Sequence, residues 1–340
     1  MKNKKIWLAA GAALCMTVCS TAFAETTDAA KGDAVAVVAE DDETGIQEAL
    51  NSLENGYVGM NLESGELSFY ENGESKEGAA DGTSGSIAGD LEVYKAEQPE
   101  EKEEDSTDVR TVFGQDDRTT LDANSRAVYP FSSVVLIEAE FQNGMYATGT
   151  GCMISADTVL TCGHCVYDPT LGGWPVSVTV VPGYAPDDWP FGTASGSEAY
   201  VMDDFLLAAS QQVGNDDWYN SIPAHMDLAT IKLDQNIGDQ TGWVGIEAVN
   251  DSLLQRWIVS AGYPLGNQEI KVDGVIKEED DENLYYNFDT QPGQSGSPMF
   301  LYENDEYKII GVVNAENEMI NFGVRLTDEK INWIKDCMNS

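Results

Sequence analysis

The chain has 340 residues, with 59 Asp and Glu against 18 Lys and Arg and a formal net charge of −41 at pH 7. A field of that sign and strength repels phosphate backbones and anionic lipid surfaces, which argues against nucleic acid or a membrane surface as the partner. It names no substrate, because most surface carboxylates are simply solvated.

In chain order, residues 1–24 read as a signal peptide: Lys2, Lys4 and Lys5 precede an apolar stretch from Ile6 to Cys19, and Ala22-Phe23-Ala24 has the small-x-small form of a cleavage site. The apolar run is too short to span a bilayer, so the product is expected to be secreted. Residues 25–110 are rich in Glu, Asp, Gly, Ser and Ala and end in the acidic run from Glu97 to Asp108. Like charge with little apolar surface predicts a largely disordered acidic propeptide. Within it, Tyr57-Val58-Gly59-Met60 and Leu67-Ser68-Phe69-Tyr70 have the alternation of a short hairpin.

From Thr111 the texture changes to short apolar runs: Ser133 to Ile137, Val176 to Val181, Leu228 to Leu233, Trp257 to Ala261 and Lys308 to Val313. Gly, Pro and Asn-Asp clusters separate them, the pattern of an all-β sandwich or barrel. Only the last stretch has helical spacing. Leu326, Ile331, Ile334 and Cys337 share one face, and Thr327 with the acids after it supplies a capping start.

Three short segments carry candidate chemistry. In Gly293-Gln294-Ser295-Gly296-Ser297-Pro298, glycines on both sides of a serine allow a tight turn that presents the hydroxyl and aims amide N–H groups at one place. A serine nucleophile needs a base of near-neutral pKa, and the chain holds only two histidines, His164 in Thr161-Cys162-Gly163-His164-Cys165 and His225. Asp227 opens the run Leu228 to Leu233 and can orient an imidazole through its second N–H. His225 lies too near Asp227 along one strand to be its partner, which leaves His164. Each signal alone is weak; the order His164, Asp227, Ser295 on an all-β pattern is specific.

That combination resembles the chymotrypsin-like serine proteases, and the local wording resembles the bacterial glutamyl endopeptidase family. The likeness runs from about Val112 to the end, through Gly114-Gln115-Asp116-Asp117-Arg118-Thr119, Tyr129-Pro130-Phe131, Gly163-His164-Cys165-Val166-Tyr167-Asp168, Gly262-Tyr263-Pro264, Asp289-Thr290 and the serine loop. It implies a double β-barrel with a C-terminal α-helix over residues 111–340. It also implies Ser295 as nucleophile, His164 as base, Asp227 as its orienting acid, and the N–H groups of Gly293 and Ser295 as the oxyanion hole. The resemblance calls for no cofactor and no metal, a protein or peptide substrate, and a monomer.

The same likeness places the substrate pocket at Asp289, Thr290, Val313 and Asn314. The family's histidine that binds the substrate glutamate corresponds to Val313, so a Glu or Asp preference competes with a basic one suited to Asp289 and Glu316. Processing is expected between Arg110 and Thr111, freeing an α-amino group as an activation switch. Of the cysteines after the signal, Cys152, Cys162, Cys165 and Cys337, a disulfide is expected, although the family partner of Cys165 corresponds to the neighbourhood of Gly149. The doublets Asp187-Asp188 and Asp203-Asp204 and the run Glu278 to Glu282 read as solvated surface. Two other classes fit the residues: a silent protease fold that binds a partner, and a hydrolase of another acyl bond.

Overall fold

The computed structural model describes residues 50–51, 53, 56–71, 91–95, 118–215, 218–316 and 321–340, with the backbone of two short strands at 3–6 and 34–35. The remainder of the signal and acidic segments lies outside the described residues, as do Arg110 and Thr111.

Two six-stranded barrels follow one another. The first is built from β6 (Val134–Phe141), β7 (Tyr146–Met153), β8 (Thr158–Thr161), β9 (Pro175–Pro182), β10 (Ala194–Met202) and β11 (Ala229–Leu233). They lie in the order β11-β8-β7-β6-β9-β10, and β10 returns to β11. The second is built from β13 (Trp257–Gly262), β14 (Ile270–Glu279), β15 (Asn283–Tyr286), β16 (Pro298–Glu303), β17 (Glu306–Glu316) and β18 (Asn321–Arg325). Its order is β17-β16-β13-β14-β15-β18, and β18 closes on β17. Short strands β5 (Thr119–Thr120) and β12 (Gly245–Ile246) add to β14 and β17.

Alternation explains why these runs are strands. In β14, Ile270, Val272 and Ile276 are buried while Lys271, Asp273 and Lys277 face outward, the period of two that a half-buried strand requires. Each barrel has its own core, one around Val135, Ile137, Val180 and Ile231 and one around Ile258, Ile276, Tyr286 and Ile310. A third cluster joins them across the seam through Leu160, Leu228, Val259, Phe300, Val312 and Trp333.

The C-terminal helix Asp328–Met338 forms where its spacing predicts, and Thr327 Oγ1 accepts the Lys330 N–H at 3.3 Å as an N-cap. A second helix, Asp203–Ser210, goes beyond the sequence reading. It has acids in its first turn and buries Phe205, Leu206 and Ala209, but at two turns its apolar pattern is too short to stand out. Among the described residues no helix is long and apolar enough to cross a membrane.

The acidic segment is not structureless where it is described. β3 (Gly56–Asn61) and β4 (Leu67–Glu71) pair as the hairpin that their alternation suggests, with Tyr57 opposite Tyr70 and Val58 opposite Phe69. The hairpin then adds to β10 of the first barrel. β1 (Asn3–Ile6) pairs with β4, and β2 (Ala34–Val35) with β1.

Candidate active site at the barrel seam

Strand pairing brings His164 and Asp227 together. β8 and β11 are antiparallel with Thr161 opposite Ala229. The chain leaving β8 enters a 3-10 turn, Gly163–Cys165, while the chain entering β11 arrives through the turn Ala224–Met226 and Asp227. Both residues therefore sit just beyond the same end of one strand pair. His164 Nδ1 lies 2.6 Å from Asp227 Oδ2, and the His164 backbone N–H donates to Asp227 Oδ1 at 2.8 Å. The carboxylate is fully buried and the imidazole is partly exposed, and Asp227 occupies only the ring's Nδ1. His225 is in the turn before Asp227 and takes no part in this pair.

Ser295 arrives from the other barrel, in the loop that precedes β16. Gly293 and Gly296 both have positive φ, 96° and 87°, a region closed to most side chains. The loop is tied across the seam to β7: Thr150 N donates to Ser295 O at 2.8 Å, Thr150 Oγ1 donates to Gly293 O at 2.8 Å, and Thr150 Oγ1 in turn accepts the Tyr263 N–H at 3.0 Å. Arg118 Nη1 holds the rim through Gln291 Oε1 at 2.9 Å. Gln294 N, Gly296 N and Ser297 N are taken by Gln291 O, Val313 O and Gln294 O. Among the described residues the N–H groups of Gly293 and Ser295 have no acceptor. Two undirected amides flanking a presented hydroxyl are what an oxyanion hole requires.

Of the expected pocket residues, Asp289, Thr290, Val313 and Asn314 are all buried. Val313 works through its backbone, donating to Ser297 O and accepting from Gly296 N at 2.7 Å. Asn314 has its amide committed elsewhere. Its Nδ2 donates to Ala224 O at 3.0 Å, and its Oδ1 accepts the Tyr219 hydroxyl. Tyr219 is thereby held edge-on to the His164 ring, with centroids 4.6 Å apart. Burial drives the Tyr219 hydroxyl well above the usual phenol range, so it remains a donor. Neither Tyr219 nor Thr150 stands out in the sequence, since their contacts join residues 95 and 143 positions apart. The Glu316 side chain lies outside the description.

The cysteines depart from expectation. Cys152, Cys162, Cys165 and Cys337 are all free thiols, with no disulfide among them. A Cβ at Gly149 would lie 2.6 Å from Cys165 Sγ, so the position facing this thiol is the one the resemblance indicates, and glycine there leaves it without a disulfide partner. Burial pushes the Cys165 thiol up to about 12. Cys162, His164 and Asp227 have ligand atoms within 4.8 Å of one another. The ring and carboxylate are engaged with each other, however, and the Cys162 thiol donates to Val313 O at 3.2 Å with its pKa pushed well up by burial. A protonated thiol is a poor metal ligand.

Of the acidic doublets, Asp187, Asp188 and Asp204 are exposed as expected, while Asp203 is not. Asp188 pairs with buried Arg126, and Asp203 is buried and accepts the Gly56 N–H. Arg325 is bonded to the carbonyls of Asp280 and Val249 beside Glu279.

Residues 149–312 match the trypsin-like peptidase domain model. The chain is 26% identical over 243 residues to a glutamyl endopeptidase of Bacillus licheniformis, covering 68% of this chain and 70% of that protein. It is 27% identical over 257 residues to an extracellular metalloprotease of Bacillus subtilis, covering 73% and 76%. Among solved structures, a Glu endopeptidase in complex with MPD shares 30% identity at a TM-score of 0.54, over 67% of this chain and all of that one. The chain belongs to the trypsin-like peptidase family, as a serine endopeptidase homologous to glutamyl endopeptidase.

Proposed function

We propose that this endopeptidase cleaves through a triad of Ser295, His164 and Asp227, and the observation that carries this reading is the 2.6 Å contact between His164 Nδ1 and Asp227 Oδ2 beside the tethered serine loop. Ser295 attacks the peptide carbonyl as His164 takes its proton. The tetrahedral oxyanion is held by the N–H groups of Gly293 and Ser295. Collapse to the acyl-enzyme returns the proton to the leaving amine, and water repeats the sequence to release the acid. Asp227 keeps the imidazole in the tautomer that leaves Nε2 free to accept. The two undirected amides also weigh against a silent binding module.

Two relatives named for glutamate support a preference for Glu or Asp before the scissile bond. Val313 in place of the family histidine means that this preference rests on other groups, and buried Asp289 favours a basic residue as the second reading. The signal peptide, secretion, processing after Arg110 and a monomeric product belong to the same proposal. Cleavage of a mixed peptide library by protein beginning at Thr111, read by mass spectrometry, tests it. Ser295→Ala is expected to lower kcat about a millionfold with the fold intact. Cuts after Arg or Lys would transfer the pocket's role to Asp289, and no cuts by folded protein would sink the triad.

A further inference from the structure

We infer that the β3–β4 hairpin is a permanent part of the working enzyme: once the bond after Arg110 is hydrolysed, the upstream piece stays docked on the first barrel, and the active species is a non-covalent two-chain assembly. The inference rests on the propeptide reading above for where the chain is cut, but the docking itself stands on contacts within the described residues.

The backbone supplies the first argument. β10 pairs with β9 only at Ala194 and Ser195, then parts from it. Beyond that point its freed edge is filled by β3, over five residue pairs from Glu198 with Asn61 to Met202 with Tyr57. The opposite edge pairs over the same stretch with β11, the strand that Asp227 leads into. Departure of the hairpin would strip partners from the backbone of a strand whose Ala199, Tyr200 and Val201 are buried.

Side chains supply the second. Val58, Leu67 and Phe69 belong to the core of the first barrel with Ala199, Val201, Phe205 and Leu206. Tyr57 points into the cluster between the barrels instead. It stacks on Tyr70 at 4.6 Å, meets Tyr200 and Trp333 edge-on at 6.0 and 6.4 Å, and its hydroxyl lies 3.1 Å from Ser340 Oγ. The hairpin so clasps the C-terminal helix to the first barrel. Gly59 is bare because the Tyr200 ring lies over it, where a Cβ would come within 2.5 Å. At its start, Gly56 N donates to Asp203 Oδ2 at 2.7 Å, securing the helix that carries Phe205.

Phe205 connects the hairpin to the site. Its ring packs against Gly163, with Cε1 2.8 Å from where a Cβ would stand, in the turn that carries His164. No described contact of the hairpin touches His164, Asp227 or Ser295, so docking supports the site from behind and leaves the cleft open. A second anchor lies downstream: Tyr129 N donates to Glu92 O and Tyr94 N to Tyr129 O, while Tyr307 OH donates to Tyr94 O at 2.8 Å.

The test uses the full chain from Glu25 carrying Ser295→Ala, with a recognition site for an unrelated sequence-specific protease inserted between Ser106 and Thr107. The inserted cut makes docking independent of natural processing. After cleavage, both pieces are expected to co-elute on a native sizing column and to separate only in denaturant. Separation on the native column overturns the inference. Tyr57→Ala in the same chain is expected to weaken association about thirtyfold, and unchanged association would overturn the assigned clasp. Amino-terminal sequencing of the naturally processed enzyme reads separately whether the cut follows Arg110. A different cut there corrects the processing reading and leaves the docking result standing.

Discussion

The two barrels contribute to the site in different ways. The first supplies His164 and Asp227 from the ends of one strand pair, so their contact is fixed by backbone register within a single sheet. The second supplies Ser295 on a loop held within its own barrel through Val313 and tied to the first by Thr150 reaching across the seam. Both barrels close on their own strands, but the first also takes the β3–β4 hairpin onto β10. In the proposed triad, the geometry of the His164–Asp227 pair is thus a local property of the fold, and the distance from His164 to Ser295 is a property of the seam.

Asp227→Asn strikes the local half, with the largest effect. The isosteric amide keeps the buried shape but offers the imidazole the wrong partner, and kcat is expected to fall about ten-thousandfold near neutral pH. Steady-state kinetics on a peptide substrate check it, and a loss below about a hundredfold would remove Asp227 from the orienting role.

Thr150→Val strikes the seam. The hydroxyl lost there donates to Gly293 O and accepts from Tyr263 N, so the change leaves one buried and one part-buried partner unsatisfied. A stability loss of about 2 kcal/mol is expected in chemical denaturation. Because the loop rather than substrate contact is disturbed, kcat falls with KM little changed. An unchanged kcat would mean that the Thr150 hydroxyl is not what positions Ser295, and that the hydrogen bond from Thr150 N–H to Ser295 O suffices alone.

Tyr219→Phe is milder. It removes the hydroxyl that bonds Asn314 while keeping the ring edge on His164, and about a tenfold fall in kcat/KM is expected. Asn314→Asp should not mimic it, since a carboxylate still accepts from the phenol but loses the donor to Ala224 O.

Much of this was legible in the sequence, for identifiable reasons. Two histidines leave little choice of base, a glycine-flanked serine marks a turn, and alternating runs such as Val176 to Val181 mark strands. Composition was a poor guide to the acidic segment as a whole, because its average charge hides the apolar faces of Val58, Leu67 and Phe69. Thr150, Tyr219 and the docking of β3 on β10 stayed hidden for another reason. Each depends on contacts between distant parts of the chain, and no local period announces them.

Glu269 sharpens the comparison with the smallest effect. It is fully buried at the seam, where its carboxylate accepts from Tyr263 OH at 3.2 Å near Arg126, and burial holds its pKa well above the ordinary carboxyl range. The folded chain therefore keeps this proton at pH values where the unfolded chain has lost it. Its contribution to stability is greatest below the unfolded carboxyl pKa and falls as pH rises toward the folded one. Glu269→Gln removes that titration, so the change in Tm it causes should be more favourable at about pH 8 than at about pH 4.5. Equal changes at both would show that the carboxyl titrates alike in the folded and unfolded chains, and that the seam at Tyr263 is wetter than its burial implies.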